Sequence, residues 1–314
     1  MKRLLGSVFL SLAMLCPGLA GAADFPTRPI TIVAGFNAGG TSDMILRAMA
    51  PELEKELGQP VLIVNKGGSG GALAIGDVLT KKADGYTICL TNSPALTFDL
   101  QLRKARYDMN DFVYLGSAGG CQEGFYSLPD RPWKDFKSMI EYAKKENKEL
   151  TFTSPSVFDT YVMRAIGKQE GLKFRKVPVK SGGEAATSVL GGHVDFAHGG
   201  GVQGTYVDAG KMINLATTLT KPFIAYPDVK PLVSMGYPHT AFDNHYILYV
   251  LKDTPKEAVD ILSNAIEKVA TSQHIHDVIL NNAHMDPTIL KRDEILPKLQ
   301  RDFAESKALI EAAK

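Results

Sequence analysis

Residues 30–43 read ITIVAGFNAGGTSD, and the fold follows from how this stretch divides. Ile30-Thr31-Ile32-Val33-Ala34 is a β-branched run long enough for one buried strand. Gly35 to Gly40 breaks the pattern, and Thr41-Ser42-Asp43 leads into an apolar-periodic segment that starts at Met44. The stretch therefore predicts a strand, a glycine-bearing loop and a helix start. At such a junction the loop amides and the first unpaired helix N–H groups point the same way, so their dipoles add into a ready anion site. Gly39 and Gly40 let a ligand approach the main chain, while Thr41 and Ser42 can supply hydroxyls. The same pattern also serves as an ordinary helix start that Thr41 or Ser42 caps and that binds nothing.

Working outward, the style repeats. Ser42 to Leu57 predicts a helix, kinked or split at Pro51. Val61 to Val64 is a second strand, followed by a glycine loop at 65–71 and a helix over Ala72 to Thr80. Tyr86 to Thr91 is a third strand, closed by a turn at Asn92-Ser93-Pro94, and FVYLGS at 112–117 a fourth. Gly119-Gly120 and Gly124 read as a passage into a second lobe. There, Leu150 to Thr153, Phe174 to Val179, Val194 to Ala197 and Met212 to Thr218 are strands, and helices fill much of the intervening chain. Pro222 to Pro238 reads as an irregular connector and Tyr246 to Leu251 as a strand returning to the first lobe. The remainder is helical, with turns at Asp286-Pro287 and Ile295 to Pro297. Alternating strands and helices predict an α/β fold with mostly parallel sheets.

Lys2-Arg3, an apolar run from Leu4 to Leu15 and a small-residue end at Ala20-Gly21-Ala22 predict a secretory signal peptide over residues 1–23. The chain has 35 basic and 34 acidic residues, and loss of Lys2 and Arg3 tips that balance just negative. No basic stripe exists, so nucleic acid is not expected as a partner. Roughly 290 mature residues suit two lobes rather than one core. We read 24–123, completed by 248–314, as lobe one, and 124–247 as lobe two. Cys89 and Cys121 remain; an oxidising compartment permits a disulfide, and buried free thiols are the alternative.

Strand-end loops carrying Gly, Ser and Thr recur at Asn37 to Asp43, Thr91 to Pro94, Ser154 to Asp159, Lys180 to Glu184 and His198 to Gly201. Ligands of open α/β sheets sit outside the carboxyl ends of strands, so two lobes presenting such loops would enclose a small molecule and close by a hinge. Catalytic signals do not accumulate. Gly67-x-Ser69-x-Gly71 fits a nucleophile elbow between strand and helix, and a secreted serine hydrolase using Ser69 is the alternative from another class. His274-x-His276 points its rings to different helix faces and predicts no metal site. No phosphate loop ending in Gly-Lys-Ser/Thr is present, and no cofactor is expected. A ligand sensor for a signalling receptor would need the same cleft.

FPTRPITIVAGFNAGGTSD, LGQPVLIVNKGGSGG, ADGYTICL, DFVYLG, VPVKSGGEAATSVLGGHVDFA and DTPKEAVDILSNAIEKV together make the chain resemble the Bug family. These are the extracytoplasmic solute-binding subunits of tripartite tricarboxylate transporters. The resemblance implies a two-lobed periplasmic-binding-protein fold of type II kind, with a hinge and an interlobe cleft. It further implies a periplasmic location, a monomer, no catalysis, and delivery of a carboxylate to membrane permease subunits. The positions it marks for ligand are Gly39, Gly40, Thr41, Ser42, Asp43, Ser93, Ser154, Ser156, Phe158, Asp159 and Ser181; the residues themselves add Phe36 and Asn37 on the first loop and His198 on a strand-end loop, where a structural or solvated role is the alternative. Two departures shape the ligand. Val157-Phe158 stands where the family commonly has Gly-Ser, followed here by Asp159, and His198-Gly199-Gly200 replaces an aromatic, an acid and an Asn. Asp159 would repel a second carboxylate. The expectation is a monocarboxylate, an aromatic one included, packed on Phe36 or Phe158, with any hydroxyl or amine turned to Asp159. The alternative is that Asp159 faces solvent as a helix cap.

Overall fold

In the computed structural model, residues 25–102 and 105–314 are described; the signal-peptide reading of 1–23 lies outside them. The first half runs β1 (Ile30–Ala34), α1 (Thr41–Leu57), β2 (Val61–Asn65), α2 (Ala72–Val78), β3 (Thr87–Asn92), α3 (Ser93–Leu96), α4 (Phe98–Leu102) and β4 (Phe112–Gly120). Then come β5 (Glu123–Ser127), α5 (Phe136–Lys145), β6 (Leu150–Thr153), α6 (Phe158–Glu170), β7 (Phe174–Val177), α7 (Gly182–Leu190), β8 (Phe196–Gly200), α8 (Gly204–Asp208) and β9 (Ile213–Thr217). The chain ends with β10 (His245–Leu251), α9 (Lys256–Ala270), α10 (Gln273–Asp277) and α11 (Arg292–Ala312).

Two five-stranded sheets result, ordered β2-β1-β3-β10-β4 and β7-β6-β8-β5-β9. In the first, β10 runs against β3 and β4; in the second, β5 runs against β8 and β9. Ile30, Ile32, Ile88 and Leu90 on one face of the first sheet and Val33 and Cys89 on the other are fully or almost fully buried in separate clusters, as parallel strands covered on both faces require. Two packed lobes follow, each an α/β unit. Chain passes between the sheets at Cys121-Gln122 and again before His245, where Cys121 N–H donates to the carbonyl of Asn244 at 2.7 Å. Pairing of His245 with Gly120 and of Glu123 with Gly200 brings the carboxyl ends of the parallel strands of both sheets to this double crossing.

Several local expectations change. Pro51 does not split α1, and Pro297 lies inside α11 rather than in a turn. Each proline removes one hydrogen-bond donor, while Met49 and Leu53, or Ile295 and Leu299, stay buried on either side and hold the helix. The Asn92-Ser93-Pro94 turn opens α3, with proline in the first helical turn, where its missing donor costs nothing. The glycines at 119–120, 124 and 199–200 are not loops; they continue β4, β5 and β8. A Cβ on Gly124 would lie 2.4 Å from the carbonyl oxygen of Ala216 and 2.6 Å from Phe223. Glycine there serves close strand approach, not a turn.

Cys89 and Cys121 are buried free thiols. Burial pushes the Cys89 thiol up to about 12. Among the described residues no helix is long and apolar enough to cross a membrane.

Candidate functional site: the hinge-side cleft

The loop after β1 is built by its own side chains. Asp43, 4% exposed, accepts hydrogen bonds from the Gly39 N–H and from Arg47 Nε, both at 2.9 Å. Burial alone would raise its carboxyl; these bonds outweigh that and hold it below the usual carboxylate range. The helix cap is Gly40, exposed and without a side-chain cap, so the first N–H groups of α1 are open to an anion. Thr41 and Ser42 therefore do not cap. Thr41 is half-buried, and Ser42 Oγ is buried beside the Tyr246 phenol without a hydrogen bond of good geometry. Phe36 is half-buried and packs edge-on against Tyr246, with centroids 5.3 Å apart. Asn37 is exposed and braced by the second glycine loop, since a Cβ on Gly67 would lie 2.2 Å from its Oδ1. Gly67→Ala should expel Asn37 and disorder this rim. We expect it to lower affinity for whatever ligand the cleft takes by about tenfold, checked by titration calorimetry.

On the second lobe the loop after β6 is anchored from inside. Ser154 is buried and donates to Asp159, whose side chain is fully buried. His198 Nδ1 lies 3.1 Å from the other Asp159 oxygen, and His198 Nε2 lies 2.9 Å from Thr218 Oγ1. Burial pulls the imidazole pKa down, but the neighbouring Asp159 carboxylate and then Glu123 more than offset it, so His198 stays charged to higher pH than usual. Asp159 neither faces solvent, nor caps α6, nor presents an exposed oxygen to a ligand amine, since its Oδ1 is buried and faces only His198. A carboxylate cannot be buried here without a partner, and the fold supplies a cation from β8. Nor is His198 on a strand-end loop, since β8 continues through it. Phe158, 3% exposed, packs against Phe98 and Phe242 and is core rather than a ligand platform. Ser93 is also buried. Its N–H donates to Asn244 Oδ1 at 3.2 Å and its Oγ accepts from the His245 N–H at 3.1 Å, which welds this loop to the hinge.

Ser156 is half-buried at the loop, where it accepts from the Phe158 N–H at 3.1 Å. Its carbonyl accepts from Lys176 Nζ, which also donates to Thr160 Oγ1 at 2.9 Å. Ser181 is exposed and caps α7, accepting from the Glu184 N–H at 3.2 Å, while the Glu184 carboxylate takes the Lys180 N–H. That helix start is closed by its own residues, unlike that of α1.

Sequence reading missed Glu123, Lys176, Thr218, Asn244 and Tyr246. Each sits at a strand end or a crossing with no motif around it. Only a charged residue at the supposed passage between lobes, Glu123, offered a signal. Ser69 lies at a strand–helix junction with φ 51, as an elbow would. The histidines whose partners are known are engaged elsewhere: His198 with Asp159, His239 with Glu305, His245 with the Asp243 carbonyl, His276 with Asp277 and His284 with Asp208.

The model of the tripartite tricarboxylate transporter family receptor, TctC, matches residues 45–314. The chain belongs to that family. This TctC-family receptor is 25% identical to protein BugT of Bordetella pertussis over 292 residues, 88% of this chain and 86% of BugT. It is 26% identical to a ligand-free TctC solute-binding protein from Polaromonas, with a TM-score of 0.72 over 91% of this chain and 99% of that one. A Rhodopseudomonas palustris protein solved with adipate shares the fold at 21% identity and TM-score 0.80, covering 92% of this chain and 98% of that one. The family and fold are those of non-enzymatic periplasmic solute-binding proteins.

Proposed function

We propose that this TctC-family receptor captures a small monocarboxylate with an apolar body between its two lobes and delivers it to membrane permease subunits of a tripartite transporter. The observation that carries the reading is the uncapped, exposed N-terminus of α1 at Gly40, in the loop that follows the carboxyl end of β1. Its free N–H groups and dipole suit one carboxylate. In this reading Lys176, whose Nζ donates to the Ser156 carbonyl in the loop after β6, is the second lobe's positive charge for the ligand. Exposed apolar groups at these strand ends support an apolar ligand body: Met44, Leu73, Val157 and Val202 are 42, 58, 40 and 37% exposed. Phe36 is the aromatic left to stack on, because Phe158 is buried. In this reading the lobes divide as 24–123 with 248–314, and 124–247. Strand membership supports two such units but shifts both boundaries slightly, since Glu123 opens β5 of the second sheet and His245 opens β10 of the first, with Phe98 and Leu309 reaching from the first part into the core of the second.

A melting-temperature screen of the mature protein against aliphatic, aromatic and hydroxy acids tests the proposal, because a ligand bound by the native state alone raises the transition. For the acid so found, Lys176→Gln should weaken binding by about tenfold, the scale of one charge-assisted contact. Unchanged affinity in that variant would remove Lys176 from the site.

A further inference from the structure

One unbroken chain of polar contacts runs from the first lobe's ligand loop, through both crossings, into the second lobe's loop. The Ser93 N–H donates to Asn244 Oδ1 at 3.2 Å, and Asn244 Nδ2 donates to Glu123 Oε1 at 2.8 Å. The Glu123 carbonyl accepts from Thr218 Oγ1 at 3.2 Å, and that hydroxyl meets His198, which meets Asp159, which accepts from Ser154. Ser154 Oγ accepts the Ser156 N–H at 3.0 Å. Glu123 is the first residue of β5 and Asn244 the residue before β10, so their contact links one crossing directly to the other.

We propose that Glu123 is a proton-binding site that tunes the hinge: ionised, it strengthens the tie between the two crossings through Asn244, and protonated, it loosens that tie and leaves the Cys121–Asn244 backbone bond as the remaining link. The tie is a charge-assisted hydrogen bond when Glu123 is a carboxylate, roughly twice as strong as its neutral counterpart. The titratable groups facing Glu123 are His198 of β8, Asp159 of α6, Cys121 at its own crossing and Tyr246 of β10. Lys176 of β7 acts on His198, and Lys298 of α11 acts on Cys121. Burial pushes the Glu123 carboxyl up, His198 and the Asn244 bond pull it down, and Asp159 pushes it up again; the balance lies at about 7. A proton therefore exchanges at Glu123 near neutral pH, whereas an ordinary glutamate would stay ionised. Together with the proposed function, the switch has a consequence for uptake. A protonated Glu123 lowers the resistance of the lobes to movement and removes one negative charge beside a cleft that receives an anion, so acidic conditions favour capture. The hinge switch itself does not depend on the ligand being a carboxylate.

The test uses ligand-free mature protein with spin labels on Lys55→Cys of α1 and Lys168→Cys of α6. Both positions are exposed, and the native thiols are buried. Electron–electron distance measurements at pH 5.5 and 8.5 should give one narrow interlobe distance at the higher pH. A second, longer population should appear at the lower pH, with a midpoint near 7. Glu123→Gln should show the low-pH distribution at both values. Asn244→Ala, which removes the other half of the tie, should do the same and serves if the first variant does not fold. Identical distributions at the two pH values in the wild-type protein would overturn the proposal. So would a wild-type response retained in either folded variant. Because no ligand enters, failure here leaves the carboxylate reading standing, and failure of the acid screen leaves this one standing.

Discussion

Asp159→Asn is expected to destabilise the protein by roughly 3 kcal/mol near pH 6, the scale of removing one partner from a buried ion pair. The side chain is fully buried, and His198, 3% exposed, would lose its contacting counter-charge and keep only the weaker influence of Glu123. The imidazole should respond by holding its proton less tightly, so its ring titration should move down in the variant from its raised position in the wild type. Urea unfolding and ring-nitrogen NMR read the two effects separately. A double replacement of Asp159 and His198 by apolar residues of matching volume should cost less than Asp159→Asn alone, since no orphan charge remains. A loss under about 1 kcal/mol, or a His198 titration that does not move, would place the carboxylate outside any structural pairing.

Glu123→Gln should change how stability depends on pH. The folded state raises the Glu123 pKa from 4.5 to about 7. It therefore holds this proton more tightly than the unfolded chain does. Stability linked to Glu123 is complete below its unfolded pKa and declines as pH rises through the folded one. His198, also raised, acts in the same direction, with its contribution present below about 6.5 and lost above. His245 opposes them: burial pushes it down to about 4, so its contribution grows as pH rises through the acid range. The variant minus wild-type difference isolates Glu123. It should be near zero at pH 4.5 and grow in favour of Glu123→Gln to about 2 kcal/mol above pH 7, one pKa unit being about 1.4 kcal/mol and the half-buried group being discounted. Melting curves at matched ionic strength from pH 4.5 to 8.5 measure it. A difference that stays flat would mean that Glu123 titrates like a surface glutamate.

Much of the fold was legible because its strands obey one local rule. Ile30–Ala34 and Leu150–Thr153 are runs bounded by turn-forming residues, and their limits coincide with the strands formed. Where the reading slipped, residues that signal turns were serving packing. Gly199 and Gly200 read as a loop because glycine favours turns, yet they pair with Gly124 and Glu123 in a ladder where a Cβ would be crowded, 3.2 Å from Tyr126 or Glu123. Pro297 read as a turn, yet the burial of Ile295 and Leu299 outweighs one missing donor.

The site was half legible for a related reason. Gly40 and its neighbours form a contiguous motif, and contiguity is what a single sequence displays. The Ser93–Asn244–Glu123–Thr218–His198–Asp159–Ser154 chain draws on seven residues scattered over much of the sequence, joined only by the two crossings. No spacing rule links Asp159 to His198. For that reason Asp159 read as a ligand-facing acid or a surface cap, when burial had already committed it to an internal partner.

The central claim is that the cleft binds one carboxylate through the open start of α1, and its most direct test compares an acid with its own amide. Mature protein, stripped of any bound ligand by unfolding and refolding, would be heated with each member of the acid panel and with the matching primary amide. At least one acid should raise the melting temperature in a saturable way while its amide does not. Equal shifts from acid and amide, or no shift from any acid on the refolded protein, would contradict it.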